Sequence, residues 1–216
     1  HAGEPGASVP ATKSRIEEEW GARCYDHAGA SEVGAHSFEC QAQPGGTHVI
    51  DSEFIVEVVD PGSGRPVRPG DEGELVITNL GRVGFPVIRY RTGDVVCVND
   101  SPCPCGRTFT RFDGGVIGRV DDMVVIRGVN IYPGAVENLV LCHDAVDEFR
   151  VTISRQRELS MILIEIECRE GADTQATVRA VRKTFEASLG LRPEVNAVER
   201  DSLPRFELKA QRFFVS

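Results

Sequence analysis

The sequence predicts a mixed α/β and α+β chain: a β-rich subdomain followed by a small two-layer α+β domain. Three observations carry this. Residues 48–117 hold short apolar runs separated by Pro/Gly turns, the pattern of a small barrel or twisted sheet. Beyond Arg119, strand-like and helix-like stretches follow one another in the order β-α-β-β-α-β. Between the two regions, Gly118-Arg119-Val120-Asp121-Asp122 sets an Arg beside paired carboxylates at a glycine-punctuated turn. That turn suits a hinge, so the expected domains are 1–119 and 120–216.

Residues 12–20 carry an amphipathic helical pattern ending near Gly21. Residues 22–26 read as a short strand feeding a loop at Gly29. Residues 54–60 and 73–79 read as strands around a turn at 61–64, and 86–90 and 94–98 as two more separated by a Thr92-Gly93 turn. In the second domain, 123–127 is a strand, and Pro133 opens a helix that runs through Leu141. Residues 146–154 and 161–168 are strands able to pair. A long amphipathic helix covers 173–189 with Gly190 just past its end, then a strand at 195–198 precedes the 204–213 tail.

With 216 residues the chain can bury a real core, and its 41% hydrophobic and 26% charged content is ordinary for a globular protein. A net charge of −9 repels polyanions at long range, which argues against nucleic acid and anionic membrane surfaces as partners. No apolar run approaches the roughly 18–20 residues of a membrane span, and no signal peptide is recognisable. A start at His1 without Met is what a fragment or processed piece would be expected to show. Seven cysteines, an odd number, speak against a secreted disulfide framework and for a reducing cytoplasm.

Several short motifs could carry chemistry. Gly29-Ala30-Ser31-Glu32, after Tyr25-Asp26, presents a hydroxyl and a carboxylate. Such a loop can hold a phosphate oxygen with Mg²⁺, or it can be a plain capped turn. In Tyr90-Arg91-Thr92-Gly93-Asp94, a carboxylate follows a glycine turn; it can accept from both ribose hydroxyls or simply cap the turn. Arg119 offers a planar fork of donors for phosphate or ribose oxygens. Cys103-Pro104-Cys105-Gly106 pairs two thiols one residue apart, with Cys40 and His48 upstream. The four suit a closed tetrahedral zinc site, or they are unrelated residues. Cys24, Cys97, Cys142 and Cys168 read as core cysteines, and His27 and His36 as packing or surface residues.

In this order and spacing, the motifs resemble the C-terminal half of the phenylacetate–CoA ligase family of adenylate-forming enzymes. Ala2-Gly3-Glu4-Pro5 resembles the family's Gly-Gly-Glu-Pro segment, which would put Gly3, Glu4 and Pro5 against adenine. Tyr25, Asp26, Ser31 and Glu32 fall on its aromatic-Gly-x-Thr-Glu loop, with Glu32 on Mg²⁺ and Ser31 on the AMP phosphate; Ala28 stands where the superfamily has Tyr. Asp94 matches the ribose-binding Asp, with Arg119 its companion. Lys209, in Leu203-Pro204-Arg205-Phe206-Glu207-Leu208-Lys209-Ala210-Gln211-Arg212, matches the lysine that approaches carboxylate and α-phosphate during adenylation; Leu208 replaces a Gly. The resemblance further implies a hinge at Asp121, a pantetheine tunnel beside Gly128, and a structural Zn²⁺ on Cys40, His48, Cys103 and Cys105. Residues 1–119 would be the C-terminal part of the AMP-binding large domain and 120–216 a mobile lid. The implied reaction joins a small aromatic carboxylic acid to coenzyme A with ATP and Mg²⁺, through an acyl-adenylate. A different acceptor, or a zinc-stabilised nucleotide-binding module without catalysis, are the alternatives; a homodimer is an admissible assembly. The family's Ser/Thr/Gly-rich phosphate loop has no counterpart here, so the chain alone is expected to be inactive.

Overall fold

The computed structural model describes residues 7–156, 159–205 and 211–215. The chain divides into two compact units, His1–Met123 and Val124–Ser216.

In the first unit, a helix α1 (Pro10–Trp20) starts with Pro at its first turn and stops where Gly21 turns left-handed at φ 58. Seven strands follow: β1 (His27–Ala30), β2 (Gly34–Cys40), β3 (Gln43–Val49), β4 (Phe54–Val59), β5 (Glu72–Asn79), β6 (Tyr90–Asn99) and β7 (Arg111–Arg119). They form one sheet in the order β1-β2-β3-β7-β6-β5-β4, with every pairing antiparallel. One cluster packs it: Val33, Val49, Phe54, Leu75, Ile77, Val96 and Phe112 among others, each nearly or fully excluded from solvent. The last of these strands in sequence, β7, lies between β3 on one side and β6 on the other, so β7 is the seam of the sheet.

The second unit opens with a short hairpin, β8 (Val124–Ile126) and β9 (Val129–Ile131), whose two-residue turn puts Arg127 at φ 51 and Gly128 at φ 82. Two successive positive φ values are what a type I′ hairpin turn requires. Helix α2 (Pro133–Leu141), β10 (Val146–Gln156), β11 (Leu159–Cys168), α3 (Thr174–Leu189), β12 (Glu194–Val198) and β13 (Phe213–Val215) complete it. The sheet order is β12-β11-β10-β13, antiparallel only between β10 and β11. Helix α3 begins at Asp173, whose carboxylate accepts from the Ala176 amide at 2.9 Å, and ends at left-handed Gly190. Its Thr177, Val181 and Phe185, four residues apart, are buried, and Val181 and Phe185 join the core with Ile164, Ile166 and Val195.

Four expectations change. Residues 22–26 lie outside regular structure and the strand begins at His27; Gly29 and Ala30 belong to β1, and the turn beyond them is a strand–strand hairpin. A segment of His, Ala and Gly has no strand propensity of its own and is a strand only because β2 pairs with it. Thr92-Gly93 does not separate two strands: β6 is continuous, with 92–94 bulging between Val76↔Arg91 and Glu74↔Val95. Residues 86–89 are not strand. The second unit gains β9 and β13, three-residue strands too short to show a period.

Glu167 is fully buried in β11. Burial pushes its carboxyl up, but the Arg205 guanidinium and the Leu203 and Asp201 amides outweigh it and hold it below the ordinary 4.5. A depressed folded value contributes stability that is present above 4.5 and lost as pH falls through the folded value. Glu137 has the opposite sign, raised by burial against the pull of Arg212. Urea titrations of the second unit are therefore expected to show a stability loss below about pH 4.5 that Glu167→Gln flattens; an unaltered acid limb in that variant contradicts the assignment.

Candidate functional site

Cys40 closes β2, His48 sits on β3, and Cys103 and Cys105 lie in the loop from β6 to β7. That loop is fastened at both ends: the Ser101 amide donates to Asn99 Oδ1 at 2.7 Å, and the Thr110 amide to Asp51 Oδ2 at 2.7 Å. Left-handed Gly106 (φ 78) returns its N–H to the Cys103 carbonyl at 3.0 Å, which points both thiols inward. The ligand atoms of all four residues lie within 4.8 Å of one another, with Cys40 Sγ 3.5 Å from Cys103 Sγ and Cys105 Sγ 3.6 Å from His48 Nε2. Bonds of about 2.0–2.3 Å to a tetrahedral zinc place its ligands roughly 3.3–3.8 Å apart, so the donor set fits such an ion. His48 Nδ1 faces the Phe109 carbonyl at 3.4 Å, leaving Nε2 for the cluster. The Arg107 amide, ahead of opposing burial and helped by the Arg107 side chain, brings the Cys105 thiol down to about 6. A thiolate at neutral pH is the form that binds metal.

A second cluster lies across β6 and β7, whose register sets Asp94 directly opposite Arg119. Arg119 Nη1 lies 3.4 Å from Asp94 Oδ1 and 3.3 Å from the Thr92 carbonyl. The other edge of the guanidinium forks onto Asp121, Nε to Oδ1 at 2.9 Å and Nη2 to Oδ2 at 3.3 Å. Through this hydrogen bond Arg119 rises above, and Asp121 falls below, its ordinary value. The bulge is built by Thr92, whose hydroxyl donates to the Leu75 carbonyl and accepts from the Asp94 amide, both at 3.0 Å. Gly93 (φ 78) completes it.

Asp26 also lies against β7. Its amide donates to Glu39 Oε2 at 2.9 Å, its carbonyl accepts from the Glu39 amide, and its carboxylate overlies β7 at Gly115. Burial, then the Glu39 charge, raises its carboxyl. Tyr25 is partly exposed beside it. Ser31 and Glu32 are exposed in the β1–β2 turn, where the Ser31 carbonyl accepts from Arg82 Nη1 at 2.9 Å. Gly29 admits the close crossing behind that turn, since a Cβ there would fall 2.8 Å from Ala35 Cα. Gly128, in the second unit, has open space around the position of a Cβ. Gly3, Glu4, Pro5 and Lys209 lie outside the described residues.

Sequence reasoning missed Arg107, which sits 5.5 Å over the Phe38 ring beside Cys105, and the Arg119–Asp121 fork. A basic residue two places after a Cys-x-Cys pair was the available signal for the first. Cys142 is exposed, not a core residue, because it lies just past the end of α2; Cys97 is half-buried. His36 is buried and burial lowers it to about 4, so it is a neutral packing residue.

Residues 128–215 match the AMP-binding enzyme C-terminal domain. The chain is 36% identical over 163 residues to a phenylacetate-coenzyme A ligase of Thermus thermophilus, covering 74% of this chain and 36% of that protein. It is 30% identical over 213 residues to the Escherichia coli phenylacetate-coenzyme A ligase, covering 94% and 48%. A solved 2-hydroxyisobutyryl-CoA ligase, in its postadenylation state with R3-HIB-AMP, superimposes on 99% of the chain with a TM-score of 0.90 and 33% identity, over 47% of its own length. The chain thus spans about a third to a half of the length of these relatives.

A Cβ added at Gly93 would lie 2.8 Å from Arg119 Nη2, whereas one at Gly64 (φ 67) would meet nothing within 4 Å. Gly64→Ala is expected to cost about 1 kcal/mol from the left-handed backbone alone, and Gly93→Ala about 1 kcal/mol more through Arg119. Urea unfolding of both variants checks the difference; equal losses would mean that Arg119 gives way freely.

Proposed function

Since the chain belongs to the phenylacetate–CoA ligase family of adenylate-forming enzymes and aligns with the C-terminal half of its members, we propose that it is the part of an acyl- or aryl-CoA ligase that binds AMP and delivers the adenylating lysine. The observation that carries this is the β6–β7 register, which pairs the two residues assigned to the nucleotide ribose, Asp94 and Arg119. On this reading Asp94 accepts from the ribose hydroxyls, and Arg119 supports it. Tyr25 and Asp26 with Gly3, Glu4 and Pro5 border adenine, and Ser31 contacts the phosphate. Glu32 would hold Mg²⁺, whose charge offsets that of the phosphates. Residues 120–216 act as the lid, pivoting at Asp121.

The reaction has two steps. A carboxylate oxygen of the acid attacks the α-phosphorus of ATP and the bond to pyrophosphate breaks, while the Lys209 ammonium neutralises the gathering charge. The CoA thiol, admitted past Gly128, then attacks the acyl carbon, and the acyl–phosphate bond breaks to release AMP. The acid is a small aromatic one, phenylacetate or a relative, as the names of the matched ligases suggest. We assign a structural Zn²⁺ to Cys40, His48, Cys103 and Cys105. A zinc-stabilised nucleotide-binding module without turnover is the second reading, favoured by that same cluster.

Calorimetry with AMP and a stable acyl-adenylate analogue tests the nucleotide site. Asp94→Ala is expected to weaken binding ten- to a hundredfold, the effect of losing hydrogen bonds to a charged group; unchanged affinity overturns the assignment. Alone, the chain is expected to release no pyrophosphate from ATP and an aryl acid, and release would show that it needs no other half. Metal analysis is expected to find about one zinc per chain, lost in Cys105→Ser; equal zinc in that variant rejects the cluster.

A further inference from the structure

Tyr25 and Asp26 stand in a stretch, 22–26, that is neither helix nor strand. A helix or a continuous ladder does not fix these residues, so side chains must hold their backbone polar groups. Two carboxylates do so, one on each side of Tyr25. The Cys24 amide donates to Glu17 Oε1 on α1 at 2.9 Å, and the Asp26 amide to Glu39 Oε2 on β2 at 2.9 Å.

Glu39 carries the greater share. Its side chain is 2% exposed. Lys13 Nζ donates to both of its oxygens, at 2.5 and 2.6 Å, and the Gly45 amide on β3 donates to Oε1 at 2.8 Å. The Glu39 amide donates in turn to the Asp26 carbonyl at 2.8 Å, so one residue takes both polar groups of the Asp26 backbone. Burial pushes the Glu39 carboxyl up, but Lys13 and the Asp26 and Gly45 amides outweigh it and hold it below the ordinary 4.5. Lys13 lies four residues before Glu17 on α1. The helix thus closes a circuit that runs from Glu17 through Cys24, Tyr25 and Asp26 to Glu39 and back to Lys13. The Asp26 carboxylate is seated on β7, where a Cβ at Gly115 would come within 3.0 Å of Oδ2.

A position serving only the core would be filled at least as well by an apolar side chain, because a buried ion pair is often no better than a packed hydrophobe. What the carboxylate adds is a fixed address for donors from α1, from β3 and from the irregular stretch. We propose that Glu39, Lys13 and Glu17 form a clamp that sets Tyr25 and Asp26 against the base of a bound adenine nucleotide, and so act as positioning residues for that site. The consequence for the base rests on the reading of Tyr25 and Asp26 as neighbours of adenine; the clamp itself does not.

Hydrogen exchange followed by NMR on the 216-residue chain reads the clamp directly. Glu39→Gln is expected to speed exchange of the Asp26 amide about tenfold, and Glu17→Ala that of the Cys24 amide about tenfold, with the amides of β4 and β5 unchanged. Wild-type rates at both amides, or an equal rise across β4 and β5, overturn the clamp. Glu17 is half-buried on a helix that tolerates alanine, so Glu17→Ala decides the matter if Glu39→Gln does not fold. Calorimetry then compares AMP with ribose 5-phosphate, which keeps the groups assigned to Asp94 and Ser31 but has no base. Both variants are expected to weaken AMP about tenfold and to spare ribose 5-phosphate. Equal losses for the two ligands mark a merely structural role and overturn the positioning of the base. If Asp26→Ala binds AMP as tightly as the wild type, the adenine reading fails while the exchange result stands.

Discussion

The pairing of β7 with β3 on one side and β6 on the other is the constraint from which the first unit follows. One end of β7 sets Arg111 opposite His48, next to the cysteine loop; the other sets Arg119 opposite Asp94. A slip of one residue would turn every side chain to the opposite face and break both clusters together. The register is secured by Phe112, buried at one end, and by glycines 114 and 115, whose positive φ values absorb the extra residues that β7 carries between Asp113 and Gly118. The same pairing keeps the two clusters apart. Asn99 and Asp94, the β6 partners of Arg111 and Arg119, are five residues distant, roughly 17 Å along an extended strand. A metal held by the cysteine loop is therefore remote from Asp94, which fits a closed, four-ligand structural ion.

Where the chain punctuates itself, the fold was legible. Pro133, Asp173 and Gly190 mark helix ends by mechanisms that act locally, and the alternation in 146–154 and 161–168 reflects strands buried on one face. What stayed hidden depends on partners distant in sequence. His27-Ala28-Gly29-Ala30 is a strand only through β2, and Thr92-Gly93 looks like a turn although tertiary pairing makes it a bulge. The cysteine set was readable because thiols at tight spacing are chemically rare, and the structure brings its four members together. The Arg119–Asp121 fork was visible as a composition but not as a contact, since residues two apart on a strand end meet only if the chain turns there.

Both units use one device, a carboxylate that captures a guanidinium where a strand meets a loop, but at very different depth. Asp121 and Arg119 are exposed at 67% and 45% of their side chains, and such pairs are worth about 0–1 kcal/mol. Glu167 and Glu148 are buried, and removing the partner of a buried charge costs about 3–5 kcal/mol. Opening the first is within reach of thermal motion or a competing ligand; opening the second is not. On the proposed reading this is the division the chemistry needs. A pivot at Asp121 must release its fork each time the lid turns, with the Arg119 donors free to pass to a nucleotide oxygen. The lid itself must keep its shape as it turns, and the buried Glu167–Arg205 and Glu148–Arg212 pairs hold its sheet to the neighbouring chain.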